Sequence, residues 1–202
     1  GRFDAGMLYY CPQIWCSDNT DAIERLRIQY GTSFGYPMSS VSAHVSVCPN
    51  HQNHRVTPFK TRGICAMQGT FGYELDLSKM TDEEKKMAGE QIAFFKEHGR
   101  LFQFGDYYRL TSPFENRDYT VWEYAAQDGS EACMSVVYTD MYANAASEIV
   151  KWKGLDPKKV YQMQLDGEDA GNFSGAALMH AGILLPLPEQ NYDAFQIYLK
   201  AE

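Results

Sequence analysis

The sequence predicts an α/β first half followed by an all-β second half, with the change near residue 105. Up to that point, short apolar runs alternate with helical periodicity, the rhythm of βα units in a parallel sheet. Beyond it, β-rich runs follow one another at turn signals with no strong helix between them, which reads as an antiparallel sheet or sandwich. The 202 residues are 45% hydrophobic and 14% aromatic, enough to fill one large or two small cores.

The elements follow in order. Residues 11–16 read as a short strand. It runs into Ser17-Asp18-Asn19-Thr20, a cluster of helix N-cap residues. Ile23, Leu26 and Tyr30 then mark one face of a helix, which Gly31 or Gly35 can end. Residues 41–47 alternate as a second strand, stopped by Pro49-Asn50, and residues 70–77 form a third. Thr81 and Glu84 have capping-box spacing and open a helix to about His98, with Met87, Gln91, Phe94, Phe95 and His98 near one face. In the second half, residues 107–110, 119–125, 132–139, 161–165 and 195–199 read as strands. The turn signals there are Asp128-Gly129, Asp156-Pro157 and Asp166-Gly167. Three βα units cannot close a parallel sheet, whose faces both need cover, and a full (β/α)8 barrel takes about 250 residues. The first half therefore reads as the tail of a barrel whose earlier strands lie outside these residues.

Composition narrows the function. Eighteen basic against 26 acidic residues give a net charge of −8, which argues against nucleic acid and suits an uncharged ligand such as a sugar. No apolar run approaches the roughly 20 residues of a membrane span, so no membrane partner is expected. The five cysteines are widely spaced without a C-x-x-C pair. They read as free, mostly buried thiols of a reducing, cytoplasmic compartment rather than as a zinc site. His51 and His54 lack an evident third ligand, so neither a metal nor another cofactor is expected. There is no signal peptide, but the chain opens Gly1-Arg2-Phe3-Asp4 without an initiator Met.

The chemistry concentrates at the first strand end. Active-site residues of a (β/α)8 barrel sit at the C-terminal ends of strands, where Asp18 falls. A carboxyl there can act as general acid or base; on spacing alone, capping by Ser17, Asp18 or Thr20 is the commoner use. Asp21 reads as a first-turn charge at the helix dipole. Trp15 is either a sugar platform or core packing. His44, within a strand pattern, reads as core or as support for a site. Residues 50–54, polar and following a strand end, either face a ligand from the top of the barrel or form a solvated loop, the loop being the commoner use. Glu74 and Asp76, two apart on a strand, would share a face, as a carboxylate pair or as a solvated strand end.

Taken together, several segments carry a resemblance. They are residues 1–10, Pro12-Gln13-Ile14-Trp15 with Ser17-Asp18-Asn19-Thr20-Asp21-Ala22, Ile28-Gln29-Tyr30-Gly31-Thr32-Ser33, His44-Val45-Ser46, Pro49-Asn50-His51-Gln52 and residues 69–77. In this order and spacing the chain resembles the C-terminal part of bacterial α-galactosidases of glycoside hydrolase family 36. The resemblance implies a partial (β/α)8 TIM barrel, about strands six to eight, over residues 1–104, and a C-terminal antiparallel β-sandwich domain over residues 105–202. It implies hydrolysis of terminal α-linked galactose with retention, an α-galactoside as partner, and a tetrameric parent. Asp18 takes the place of the family's acid/base, at the first Asp of a Ser-Asp-x-Thr-Asp motif. Gly1 falls in a glycine-rich stretch whose backbone approaches galactose, and Trp15 lies beside the site. The family's nucleophile, in a Lys-Trp-Asp motif, has no counterpart in this sequence. An inactive structural or weakly sugar-binding fragment is therefore the competing reading, and a relative acting on α-N-acetylgalactosamine a third. Cys16 stands where the family commonly has Thr or Ser, and Asn19 where it has Asp.

Overall fold

The computed structural model describes residues 4–202; Gly1, one of the expected sugar contacts, lies outside them. Two compact units are present, the first ending at Gln103 and the second beginning at Phe104.

The first unit holds four two-residue strands, β1 (Ile14–Trp15), β2 (Val41–Ser42), β3 (Val45–Ser46) and β4 (Tyr73–Glu74). β1 pairs with β2 and β3 with β4, both parallel, and Ser42 bridges Thr70. The break between β2 and β3 is small, because Ala43 N–H donates to Thr70 O and Val45 N–H to Gly72 O. Residues 41–46 thus run between β1 on one side and residues 70–74 on the other. The expected first strand is shorter than the apolar run 11–16. Pro12 has no N–H to give a ladder, and Cys11 spends its own on Met7 O at 2.8 Å.

Three helices accompany these strands. α1 (Ala22–Thr32) buries Leu26 and Tyr30 as the periodicity requires, and runs through Gly31 to a C-cap at Ser33. α2 (Phe59–Ala66) was not legible in the sequence. Seven of its eight residues are buried, so it shows no polar stripe against which a period could stand out. α3 (Asp82–Glu97) opens with both hydrogen bonds of the Thr81–Glu84 capping box. Its expected face packs as read: Gln91 accepts from Tyr73, Phe95 meets Phe71, and Phe94 meets His98. A short α4 (Gly99–Phe104) follows. Alternation along 41–46 turns Ala43 and Val45 into a core with Phe59, Ala66, Met80 and Ala88. Ser42, His44 and Ser46 face the other way.

The second unit is built on one six-stranded antiparallel sheet. Its strands are β5 (Asp106–Thr111), β6 (Tyr119–Ala125), β7 (Glu131–Tyr138), β9 (Val160–Leu165), β10 (Glu168–Ser174) and β12 (Ala194–Ala201), in the order β10-β9-β12-β7-β6-β5. A separate pair is formed by β8 (Ile149–Val150) and β11 (Ile183–Leu184), and α5 (Gly175–His180) is a short helix. The five expected strands are all present. β10 was not expected because it is a largely exposed edge strand with no apolar alternation. Asp166 and Gly167, at φ of 50° and 87°, form its two-residue hairpin, a conformation that suits Gly and Asp. Trp152, Leu155, Leu178 and Leu185 complete the core on one face of the sheet.

Among the described residues all five cysteines are free, but only Cys65 and Cys133 are buried; Cys11 is exposed and the other two half-buried. The expectation of mostly buried thiols is corrected accordingly. No helix among these residues is long and apolar enough to cross a membrane.

Candidate active site

Because β1, β3 and β4 are parallel to their partners, their C-terminal ends lie at one end of the small sheet, and residues 16–21, 47–57 and 75–80 extend from it. Asp18 is exposed in the first of these segments. It is not the helix cap. Asp21 takes that role, accepting from Glu24 N–H at 3.1 Å, so the expectation that Ser17, Asp18 or Thr20 caps and Asp21 lies in the first turn is corrected. Asp21 is also buried, at 2% exposure, and ion-paired with Arg55.

The backbone around Asp18 is tied down from three sides. Arg25, 2% exposed on α1, donates to Ser17 O at 3.1 Å, Asn19 O at 3.0 Å and Ser42 O at 3.0 Å. Its Nη2 also lies 3.4 Å from Cys16 Sγ, and its Nε donates to Gln29. Gln52 donates to Asp18 O and accepts from Thr20 N–H. Asn50, 4% exposed, donates to Thr20 Oγ1 and accepts from two N–H groups of its own loop. Residues 50–54 are thus more than a solvated loop: their tip is exposed while their root clamps the Asp18 segment. Arg25 was missed as a site residue, since an Arg in a helix reads as solvent-facing, and the clamping role of Asn50 and Gln52 was not legible in their loop.

Trp15 is half-buried. Its ring stacks on His44, centroids 4.0 Å apart and planes 7° apart, and the Arg25 guanidinium lies 4.9 Å from it. His44 Nδ1 is 2.8 Å from Ser46 Oγ and its Nε2 is 2.9 Å from Glu74 Oε2. Burial lowers the His44 pKa to about 4, against an upward pull from Glu74. The expected Glu74–Asp76 pair is divided between two tasks. Glu74 faces His44, while Asp76 caps a turn by accepting from Ser78 N–H and Oγ. A cavity of about 470 Å³ opens at the same sheet end, lined by Thr20, Ser46, His51, Arg62, Glu74 and Asp76 among others, but not by Asp18 or Trp15. Among the described residues no group of three His, Cys, Asp or Glu is placed to hold a metal ion.

Parallel strands with an exposed carboxyl held at a strand's C-terminal end are the arrangement of βα enzymes. Comparison with known proteins makes this specific. Residues 1–105 match the Melibiase family model and residues 119–199 the glycosyl hydrolase family 36 C-terminal domain. The chain belongs to the melibiase family, glycoside hydrolase family 36. It is 53% identical, over 97% of its length, to the bifunctional α-galactosidase/sucrose kinase AgaSK of Mediterraneibacter gnavus, of which it covers 20%. It also resembles the crystal structure of the α-galactosidase AgaA of Geobacillus stearothermophilus, at TM-score 0.95 and 48% identity, covering 100% of this chain and 27% of that one. A variant of AgaA solved in complex with raffinose matches at TM-score 0.94 and 48% identity, again over 100% and 27%. The chain therefore spans between a fifth and about a quarter of the length of these relatives.

Proposed function

We propose that the protein containing this chain is a retaining α-galactosidase that releases terminal α-linked galactose from oligosaccharides such as melibiose and raffinose, with Asp18 as its acid/base. The observation that carries this reading is the placement of Asp18, exposed at a parallel strand's end with its flanking backbone clamped by Arg25 and Gln52. Family membership and the raffinose complex of AgaA support the substrate class. In this reading residues 1–104 supply strands six to eight of a (β/α)8 barrel and residues 105–202 a β-sandwich domain. The parent is a cytoplasmic tetramer, Gly1 presents backbone to the galactose, and Trp15 walls the site. His44 already covers one face of the Trp15 ring and the Arg25 guanidinium also lies over it, so a sugar meets its edge.

The reaction is a double displacement. A carboxylate elsewhere in the protein attacks the anomeric carbon as Asp18 gives its proton to the departing glycosidic oxygen. Ionised Asp18 then takes a proton from water, which attacks the galactosyl-enzyme and frees the nucleophile. A carboxyl that both gives and takes a proton needs a pKa near working pH. No Lys-Trp-Asp occurs in the 202 residues, so the chain by itself is expected to be inactive.

Asp18→Ala in the whole protein tests the assignment. Turnover of melibiose and raffinose should collapse, with azide partly restoring turnover of activated substrates. Unchanged turnover sinks the acid/base role, and a preference for α-N-acetylgalactosaminides over α-galactosides sinks the substrate class.

A further inference from the structure

On the face of the small parallel sheet turned away from the core of Ala43 and Val45, four side chains form one continuous row. It runs from Trp15 on β1, through His44 and Ser46 on the middle segment, to Glu74 on β4. The two rings lie nearly parallel, 4.0 Å apart. Nδ1 makes a buried hydrogen-bond contact with Ser46 Oγ at 2.8 Å, while Nε2 lies 2.9 Å from Glu74 Oε2 without the geometry of a hydrogen bond. His44 is 8% exposed, and its burial keeps the ring neutral. A buried imidazole tied to Ser46 at Nδ1 and abutting the Glu74 carboxyl at Nε2 cannot turn its plane without losing a contact, which makes it a firm surface for a stacked partner.

What rests on that surface leads to Asp18. Trp15 is three residues away along the chain, and its ring lies 4.9 Å from the guanidinium that holds the carbonyls on either side of Asp18. The plane of His44 thus fixes Trp15, and Trp15 with Arg25 fixes the segment carrying the carboxyl.

We infer that His44 is a positioning residue for acid catalysis: acting through Trp15, it sets where the Asp18 carboxyl stands relative to the leaving oxygen. The inference rests on the reading of Asp18 as acid/base. It predicts a defect confined to substrates whose leaving group needs a proton.

The test is made in the whole protein with His44→Ala and His44→Phe. kcat/KM is compared on melibiose, which departs as a poorly acidic alcohol, and on a nitrophenyl α-galactoside, whose phenolate leaves with little help. His44→Ala should lose about tenfold or more on melibiose and stay close to the parent on the aryl substrate, the size of effect a displaced acid produces. His44→Phe keeps a ring for Trp15 to stack on and should recover most of that loss. Equal losses on both substrates, no loss on either, or a His44→Phe as impaired as His44→Ala would overturn the inference. Asp18→Ala measured alongside separates the two failures. If it does not itself discriminate between the substrates, the acid/base reading falls and the positioning role falls with it.

Discussion

Arg25 donates to the carbonyl oxygen of Asn19 at 3.0 Å, and the same nitrogen reaches the carbonyl of Ser17 at 3.1 Å, with Asp18 between them. One buried helix residue therefore sets the shape of the segment that presents the candidate acid. Removing it strands three partly buried carbonyl acceptors and the Gln29 amide oxygen. Arg25→Met should destabilise the whole protein by about 3 kcal/mol, the usual consequence of unpaired buried groups. Arg25→Lys should recover little, since an ammonium cannot reproduce the planar fork that reaches three carbonyls. Urea midpoints measure both. A Lys variant as stable as the parent would show that charge, rather than geometry, holds the segment.

Asp21 has two jobs that can be separated. It caps α1 through Glu24 N–H and pairs with Arg55, which is also 3.8 Å from Glu24. Asp21→Asn keeps a cap acceptor and loses the ion pair, whereas Asp21→Ala loses both. The Ala variant should be less stable than the Asn variant by about 1 kcal/mol, the ordinary value of a cap. A double-mutant cycle with Arg55→Ala should show clear coupling, since breaking a buried pair leaves a charge uncompensated. Additive losses would mean that the two residues act independently.

Gly69 stands where a side chain has no room. A Cβ there would lie 2.5 Å from Val41 O and 3.1 Å from Ala43 Cβ. Val41 O accepts from Thr70 N–H at 2.8 Å, so the clash falls on the contact joining the third strand to the middle one. Gly69→Ala should cost about 2 kcal/mol, as overpacking does, and lower activity by shifting His44 and Glu74 relative to each other. A Gly69→Ala variant with the parent's thermal midpoint and activity would contradict this.

The second unit was the more legible half. Its strands alternate or run apolar between Asp-Gly turns, and all five expected ones formed; the exposed edge strand β10 carried no such pattern. In the first unit the strands shrank to two residues each, the first because Pro12 and the turn at Met7 consume its run. α2 was hidden by burial on all sides. At the candidate site, the strand-end position of Asp18 could be read from spacing. The supports of Asp18 could not. Arg25 sits seven residues beyond it, and Asn50 and Gln52 more than 30 residues away, joined to it only by the return of the middle strand. Pairings of that kind are set by tertiary contact and leave no local period.

Stability should depend on pH through two buried groups of opposite sign. Glu123 is fully buried on β6, and both its oxygens lie within reach of Lys153 N–H, at 3.0 and 3.3 Å. Burial raises its pKa to about 8 from an ordinary 4.5, outweighing the N–H bond and the charge of Lys153. Between those values the unfolded chain releases a proton that the native state keeps, so stability falls as pH rises from 4.5 to about 8 and levels off above. His44 acts in the other direction. Its native pKa of about 4 lies below the ordinary 6.5, so stability falls as pH drops from 6.5 towards 4. Glu123→Gln replaces the carboxyl by a neutral amide of the same shape. It should match the parent near pH 4.5 and exceed it progressively up to about pH 8, by on the order of a few kcal/mol. The acid-side slope from His44 should remain. Urea midpoints taken at intervals across this range decide it: a difference between variant and parent that does not change with pH would mean that Glu123 keeps the same protonation state folded and unfolded.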